Sequence, residues 1–128
     1  MASGQTENVV IAHELYHQAP PHLEKARGEL GVTEYLSYDK SRPNPRVEQY
    51  FISCGATPDP LGTPWCAYFV GWCLDGGTRK GLARSYLDWG NPRQGTYQLG
   101  DVVVLWRGPK NDGVTGHVGF FVREDKDY

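Results

Sequence analysis

The sequence predicts an α+β domain whose helices pack on one face of an antiparallel sheet. Apolar residues recur at helical spacing through the first two thirds of the chain, whereas β-branched apolar runs appear only after Leu99. Helices first and strands afterwards favour segregated layers over alternating βαβ units. Residues 7–18 read as a short helix that stops before Pro20-Pro21. A second is expected over 22–31, with Leu23, Ala26 and Leu30 on one stripe and Gly31 at its end. Ser37 to Pro45, which holds Asp39, Asn44 and two prolines, reads as loop. Arg46 to Cys54 forms a third helix with Val47, Tyr50 and Phe51 inward, closed by Gly55. After a Pro- and Gly-rich loop over 55–63 comes a helix from Pro64 to Leu74, ended by Gly76-Gly77, and another short one from Arg79 to Trp89. Asp101–Trp106 and Val118–Arg123 read as strands, joined by the hairpin loop Arg107–Gly116. Period-two alternation puts His117, Gly119 and Phe121 on one face of the second strand and Val118, Phe120 and Val122 on the other.

At 128 residues the chain is long enough for one core without a disulfide or metal staple. Residues 1–21 read as an N-terminal helical extension and 22–128 as the domain proper. A net charge of −2 and 13 scattered Lys and Arg residues leave no electrostatic footprint for nucleic acid. No stretch approaches a membrane span, and Met1 to Asn8 lacks the basic start and apolar run of a signal peptide, so synthesis in a cytoplasm is expected. Cys66 and Cys73 on one helix stand roughly 10 Å apart along its axis, beyond disulfide reach. Cys54 and Cys73 read as buried thiols, and no disulfide scaffold is expected.

The chemistry concentrates in two segments. Cys66 lies in Thr63-Pro64-Trp65-Cys66-Ala67-Tyr68-Phe69-Val70, and His117 follows 51 residues later in Gly116-His117-Val118-Gly119. Thr63 can cap the helix and Pro64 suits its first position, which puts Cys66 in the first turn. There the orphan N–H groups and the helix dipole favour an anion, and so the nucleophilic thiolate. An imidazole opening a strand supplies the base of a cysteine hydrolase. Taken alone, a cysteine is more often a small buried hydrophobe and a histidine a hydrogen-bonded edge residue. It is their joint placement at the starts of elements that points to catalysis.

Around these residues the sequence resembles the papain-like peptidoglycan hydrolases of the CHAP (cysteine, histidine-dependent amidohydrolase/peptidase) and NlpC type, in particular a small CHAP-like family of phages and bacteria. The likeness covers about residues 23–123. It rests on Gly31-Val32-Thr33-Glu34, Asn44-Pro45-Arg46, Pro64 to Val70, Ala83-Arg84-Ser85-Tyr86-Leu87-Asp88-Trp89-Gly90, Gly100-Asp101-Val102-Val103 and Gly116 to Gly119. The resemblance implies cleavage of an amide bond in the bacterial cell-wall peptide or at its junction with the glycan. Cys66 would be the nucleophile and His117 the base, with no cofactor. It also implies delivery to the wall by a phage particle or a secretion machine. The backbone N–H of Cys66 is a natural oxyanion donor. Trp65 is the expected cleft aromatic and Asp101, opening the first strand, a second substrate-binding candidate, whereas Trp72 and Trp89 read as core. Glu34, Asn44 and Arg84 read as loop hydrogen-bond or ion-pair residues. In that family a third polar residue orients the imidazole from the strand after the histidine strand, and the sequence reaches Tyr128 before such a strand is complete. Glu124, Asp125 and Asp127 read as solvated turn charges. The orienting group is therefore expected from a further C-terminal segment or a partner chain that completes the sheet.

Two other classes compete. His13-Glu14-Leu15-Tyr16-His17 is a literal H-E-x-x-H, and on a helix both imidazoles would share a face able to grip zinc in a metallopeptidase. His22, Glu24 and Glu34 are the possible third ligands, but Pro20-Pro21 leaves the helix little scaffold. The third class is a non-catalytic structural or binding module that keeps the fold.

Overall fold

The computed structural model describes residues 19–36, 38–106 and 116–123. The helix expected over 7–18, with its H-E-x-x-H, and the loop between the last two strands lie outside the described residues. Helices and small antiparallel sheets make up the rest, as an α+β chain should. No helix among the described residues is long and apolar enough to cross a membrane.

The first helix, α1, spans Pro21–Arg27 and stops short of the expected Gly31. Glu29, Leu30 and Val32 continue instead through tight turns whose N–H groups reach back to Ala26, Arg27 and Glu29. Strand β1, Tyr35–Leu36, pairs antiparallel with β2, Asp39–Pro43, which occupies ground expected to be loop. Its composition explains the difference: β2 is exposed and built from Asp, Lys, Ser, Arg and Pro, residues that carry no strand signal. Helix α2, Pro45–Ser53, forms where expected. Asn44 caps it by accepting from Arg46 N at 2.9 Å, while its amide donates to Thr33 O at 2.9 Å.

Helix α3 spans Cys66–Cys73 and begins two residues later than the sequence predicts. The expected cap is otherwise engaged. The Thr63 hydroxyl donates to the Asp59 carboxylate at 2.9 Å, closing a turn in which Thr63 N also reaches Asp59 O at 3.0 Å. Trp65 takes the cap position without a side-chain bond to the helix, and Cys66 becomes the first helical residue. The segment expected to be a helix from Arg79 is shorter and tighter, a 3₁₀ helix η1 over Ala83–Asp88. Arg79 adopts a positive φ of 59°, which an α-helix does not accommodate.

Strands β3, Val102–Trp106, and β4, Gly116–Phe120, pair antiparallel, with Leu105 opposite His117 and Val103 opposite Gly119. Their other face carries Val102, Val104, Val118 and Phe120 onto Ala67 and Val70 of α3 and onto Ala83 and Tyr86 of η1. A second core forms on the opposite flank of α3. There Val47, Tyr50 and Phe51 of α2 pack with Trp65, Tyr68, Phe69 and Trp72. Each fully buried Val or Phe side chain contributes about 1.5–3 kcal/mol. Lys25 ties α1 to the end of α3: its Nζ donates to Trp72 O at 2.8 Å and lies 4.1 Å from the centre of the Trp72 ring.

Gly100 joins the ends of the sheet to α1. Its carbonyl accepts from His22 Nε2 at 2.7 Å, and its φ of 87° lies in the left-handed region. A Cβ there would stand 2.5 Å from Pro20 Cγ and 3.1 Å from His22 Nε2. Gly100→Ala should therefore destabilise the fold by about 2 kcal/mol or more, which urea denaturation will measure. An unchanged midpoint would mean that this junction yields easily.

Candidate active site

A cavity of about 690 Å³ opens between α1 with its following turns, the start of α3 and β4. Cys66 and His117 both line it, as does Trp65. Each arrives for a local reason. Cys66 heads α3 ahead of its first intrahelical bond, Phe69 N to Trp65 O at 2.9 Å, so its own N–H precedes the helical ladder. The residue is half-buried, packed on one side against the core of Ala67, Val70 and Val118.

His117 approaches differently. Four consecutive residues of β4, His117 to Phe120, line the cavity, so the cavity borders the strand's edge remote from β3 rather than one of its faces. The imidazole is exposed, and Gly119 leaves it room: a Cβ at Gly119 would meet only His117 Nε2, at 4.0 Å. Among the described residues no hydrogen bond joins Cys66 to His117. What brings the two together is the common lining of one cavity.

Most of the remaining wall is apolar, with Leu23, Leu30, Val32 and Leu99 among its residues. Its polar portion centres on Glu29, which no motif singles out. The carboxylate accepts from Arg46 through Nε and, at 3.0 Å, Nη2, and from the Tyr50 hydroxyl at 2.7 Å. Arg46 beside it holds the Glu29 carboxyl below the usual range, and burial pushes the Tyr50 hydroxyl up. Glu34, also in the wall, accepts from Trp65 Nε1 at 3.4 Å and so orients the indole next to Cys66.

Asp101 lies elsewhere. It lines a second cavity beyond Gly100, where Arg93 binds it through Nε at 2.8 Å and Nη2 at 2.7 Å, and Gln98 N donates to it at 2.9 Å. Trp72 joins the second core, as expected, whereas Trp89 remains 39% exposed against Tyr86. Among the described residues no group of three or more His, Cys, Asp or Glu side chains is placed to hold a metal ion. His13, Glu14 and His17 lie outside the described residues.

The other two thiols are sequestered. Cys54 is 6% and Cys73 3% exposed, and burial pushes the Cys73 thiol up to about 12. Iodoacetamide near neutral pH should therefore modify Cys66 first, with Cys54 and Cys73 reacting only after denaturation, as read by peptide mass spectrometry. Preferential labelling of Cys54 would contradict this. Asp101 gives a second test. Its Arg93 pairing lowers its carboxyl to about 2, whereas an unfolded Asp titrates near 3.9. The stability it contributes is complete above about pH 4 and lost as the pH falls towards 2. Asp101→Asn should flatten that part of the acid-unfolding profile.

A scan against protein-family models and searches of curated proteins and of solved structures found no match to this chain.

Proposed function

We propose that this chain is a papain-like cysteine hydrolase that cleaves an amide bond of bacterial peptidoglycan. The observation that carries the reading is the joint lining of one cavity by Cys66, the first residue of α3, and His117, on the edge of β4. The cavity's size is that of a small-ligand site, and its apolar wall suits the alkyl side chains of a short peptide.

In the proposed reaction His117 takes the proton of the Cys66 thiol, and the thiolate adds to the amide carbonyl carbon. The developing oxyanion is stabilised by the Cys66 N–H. Collapse breaks the C–N bond as the imidazolium returns its proton to the leaving amine, and a thioester remains on Cys66. His117 then removes a proton from one water as its oxygen adds to the thioester carbonyl carbon; collapse breaks the C–S bond, the imidazolium returns that proton to the Cys66 sulfur, and the acid product leaves as its carboxylate after losing its own proton to solvent. Glu34 and Trp65 act as positioning residues at the mouth of the cavity.

Purified muropeptides analysed by mass spectrometry test the reading. The wild-type chain should release products with one amide hydrolysed. Cys66→Ala and His117→Ala should each lower turnover at least about a thousandfold, whereas Cys73→Ser should change stability without removing the activity. EDTA should leave turnover intact. No product with the wild-type chain would overturn the proposal, and EDTA-sensitive cleavage abolished by His13→Ala would transfer it to zinc.

A further inference from the structure

We propose that the second cavity, bounded by η1, the segment after it and the Gly100 turn, is a saccharide subsite that takes a pyranose ring of a glycan. It encloses about 640 Å³ and combines an aromatic wall with planar polar groups. Trp89 packs edge-on against buried Tyr86, 5.7 Å between centroids at 64°, which braces the indole while 39% of the residue stays exposed. Asp88, Asn91 and Arg93 stand around it, all exposed.

Arg93 is already ordered. Two of its nitrogens hold Asp101, and Asp101 is held again by Gln98 N, so the guanidinium forms part of a fixed polar plate with Nη1 left as a donor. Little ordering entropy remains to be lost on binding. A pyranose matches this lining, since its C–H face is apolar and its rim carries hydroxyls that both donate and accept. An apolar ligand would leave Asp88, Asn91 and Nη1 of Arg93 without a partner from the ligand. A polyanion would meet Asp88 and the carboxylate of Asp101.

The placement of the cavity adds a second argument. Only a thin wall separates it from the Cys66 cavity: His22 and Gly100 line the one, while their neighbours Leu23 and Leu99 line the other. The wall is closed by the His22–Gly100 hydrogen bond and by the His22 ring 5.0 Å from that of Phe120. A polymer laid over this wall would present a sugar to Trp89 and its attached peptide to Cys66, a consequence that rests on the peptidoglycan reading; the saccharide site itself does not.

The test uses the Cys66→Ala protein, which cannot turn over, and the soluble tetramer of N-acetylglucosamine, which carries no peptide. NMR should show saturable shifts of the Trp89 indole N–H and the Asn91 amide. Trp89→Ala should weaken binding about tenfold or more, and Asn91→Ala, in an exposed segment where the fold is not at stake, roughly threefold. No saturable shift up to about 10 mM tetramer, or shifts confined to Trp65, would overturn the proposal. Because neither probe nor protein supports hydrolysis, this outcome is independent of whether the chain cleaves muropeptides.

Discussion

Helix α3 carries no charge on any side, and the structure depends on packing both of its flanks. Cys66 to Cys73 reads Cys-Ala-Tyr-Phe-Val-Gly-Trp-Cys, with no charged residue to face water. Such a helix must be enclosed, and here two separate cores enclose it. Ala67 and Val70 meet the sheet and η1, while Tyr68, Phe69 and Trp72 meet α2. Gly71 allows the close approach that this requires, since a Cβ there would stand 2.7 Å from Cys54 Sγ and 3.0 Å from Gly76 O. The helix is thus held along its length, and Cys66 and Phe69 are its residues that border the cavity. A nucleophile at Cys66 inherits the rigidity of both cores.

The polar wall opposite is held by a different kind of interaction. Glu29 is separated from Arg46 and Tyr50 by a hairpin and half of α2, yet a bidentate ion pair and a phenol hydrogen bond satisfy its carboxylate. An isolated ion pair at a surface contributes little. This one also bonds Tyr50, which is 0% exposed at the centre of the second core, so the turn after α1 is registered against the helical layer. Glu29 and Tyr50 both line the cavity, so this registration fixes part of its wall. Arg46 stacks 4.9 Å from the Trp72 ring centre as well, and its guanidinium serves packing and charge together.

Where the apolar period was strong, the fold was legible in the sequence. Val47, Tyr50 and Phe51 face inward as their spacing demands, and the alternation through Val118 and Phe120 puts those residues on the core face. Elements held by polar bonds were not legible. Strand β2 is exposed and charged, and the start of α3 turned on whether Thr63 bonded forward to the helix or back to Asp59, a choice between two local hydrogen bonds of similar worth. For the site, Cys66 and His117 carried local signals because each sits at an element's start. Glu29 carried none, because its partners are 17 and 21 residues away. Asp101 shows the reverse case: a motif position that the fold turns towards Arg93 and away from the thiol's cavity.

The distribution of sulfur has a chemical consequence of its own. Cys73 lies at the far end of α3 from Cys66, roughly 10 Å along the axis. Cys54 is lodged against the same far half, with its Sγ 3.8 Å from Tyr68 O and 3.9 Å from Gly76 O. Neither can move to Cys66 without dismantling a core. Should peroxide convert Cys66 to a sulfenic acid, no thiol of its own chain can trap it as a disulfide. Rescue would require a small external thiol entering the cavity, and without one, further oxidation to the sulfinate would be irreversible. The rigidity that holds Cys66 therefore also denies it an internal repair partner.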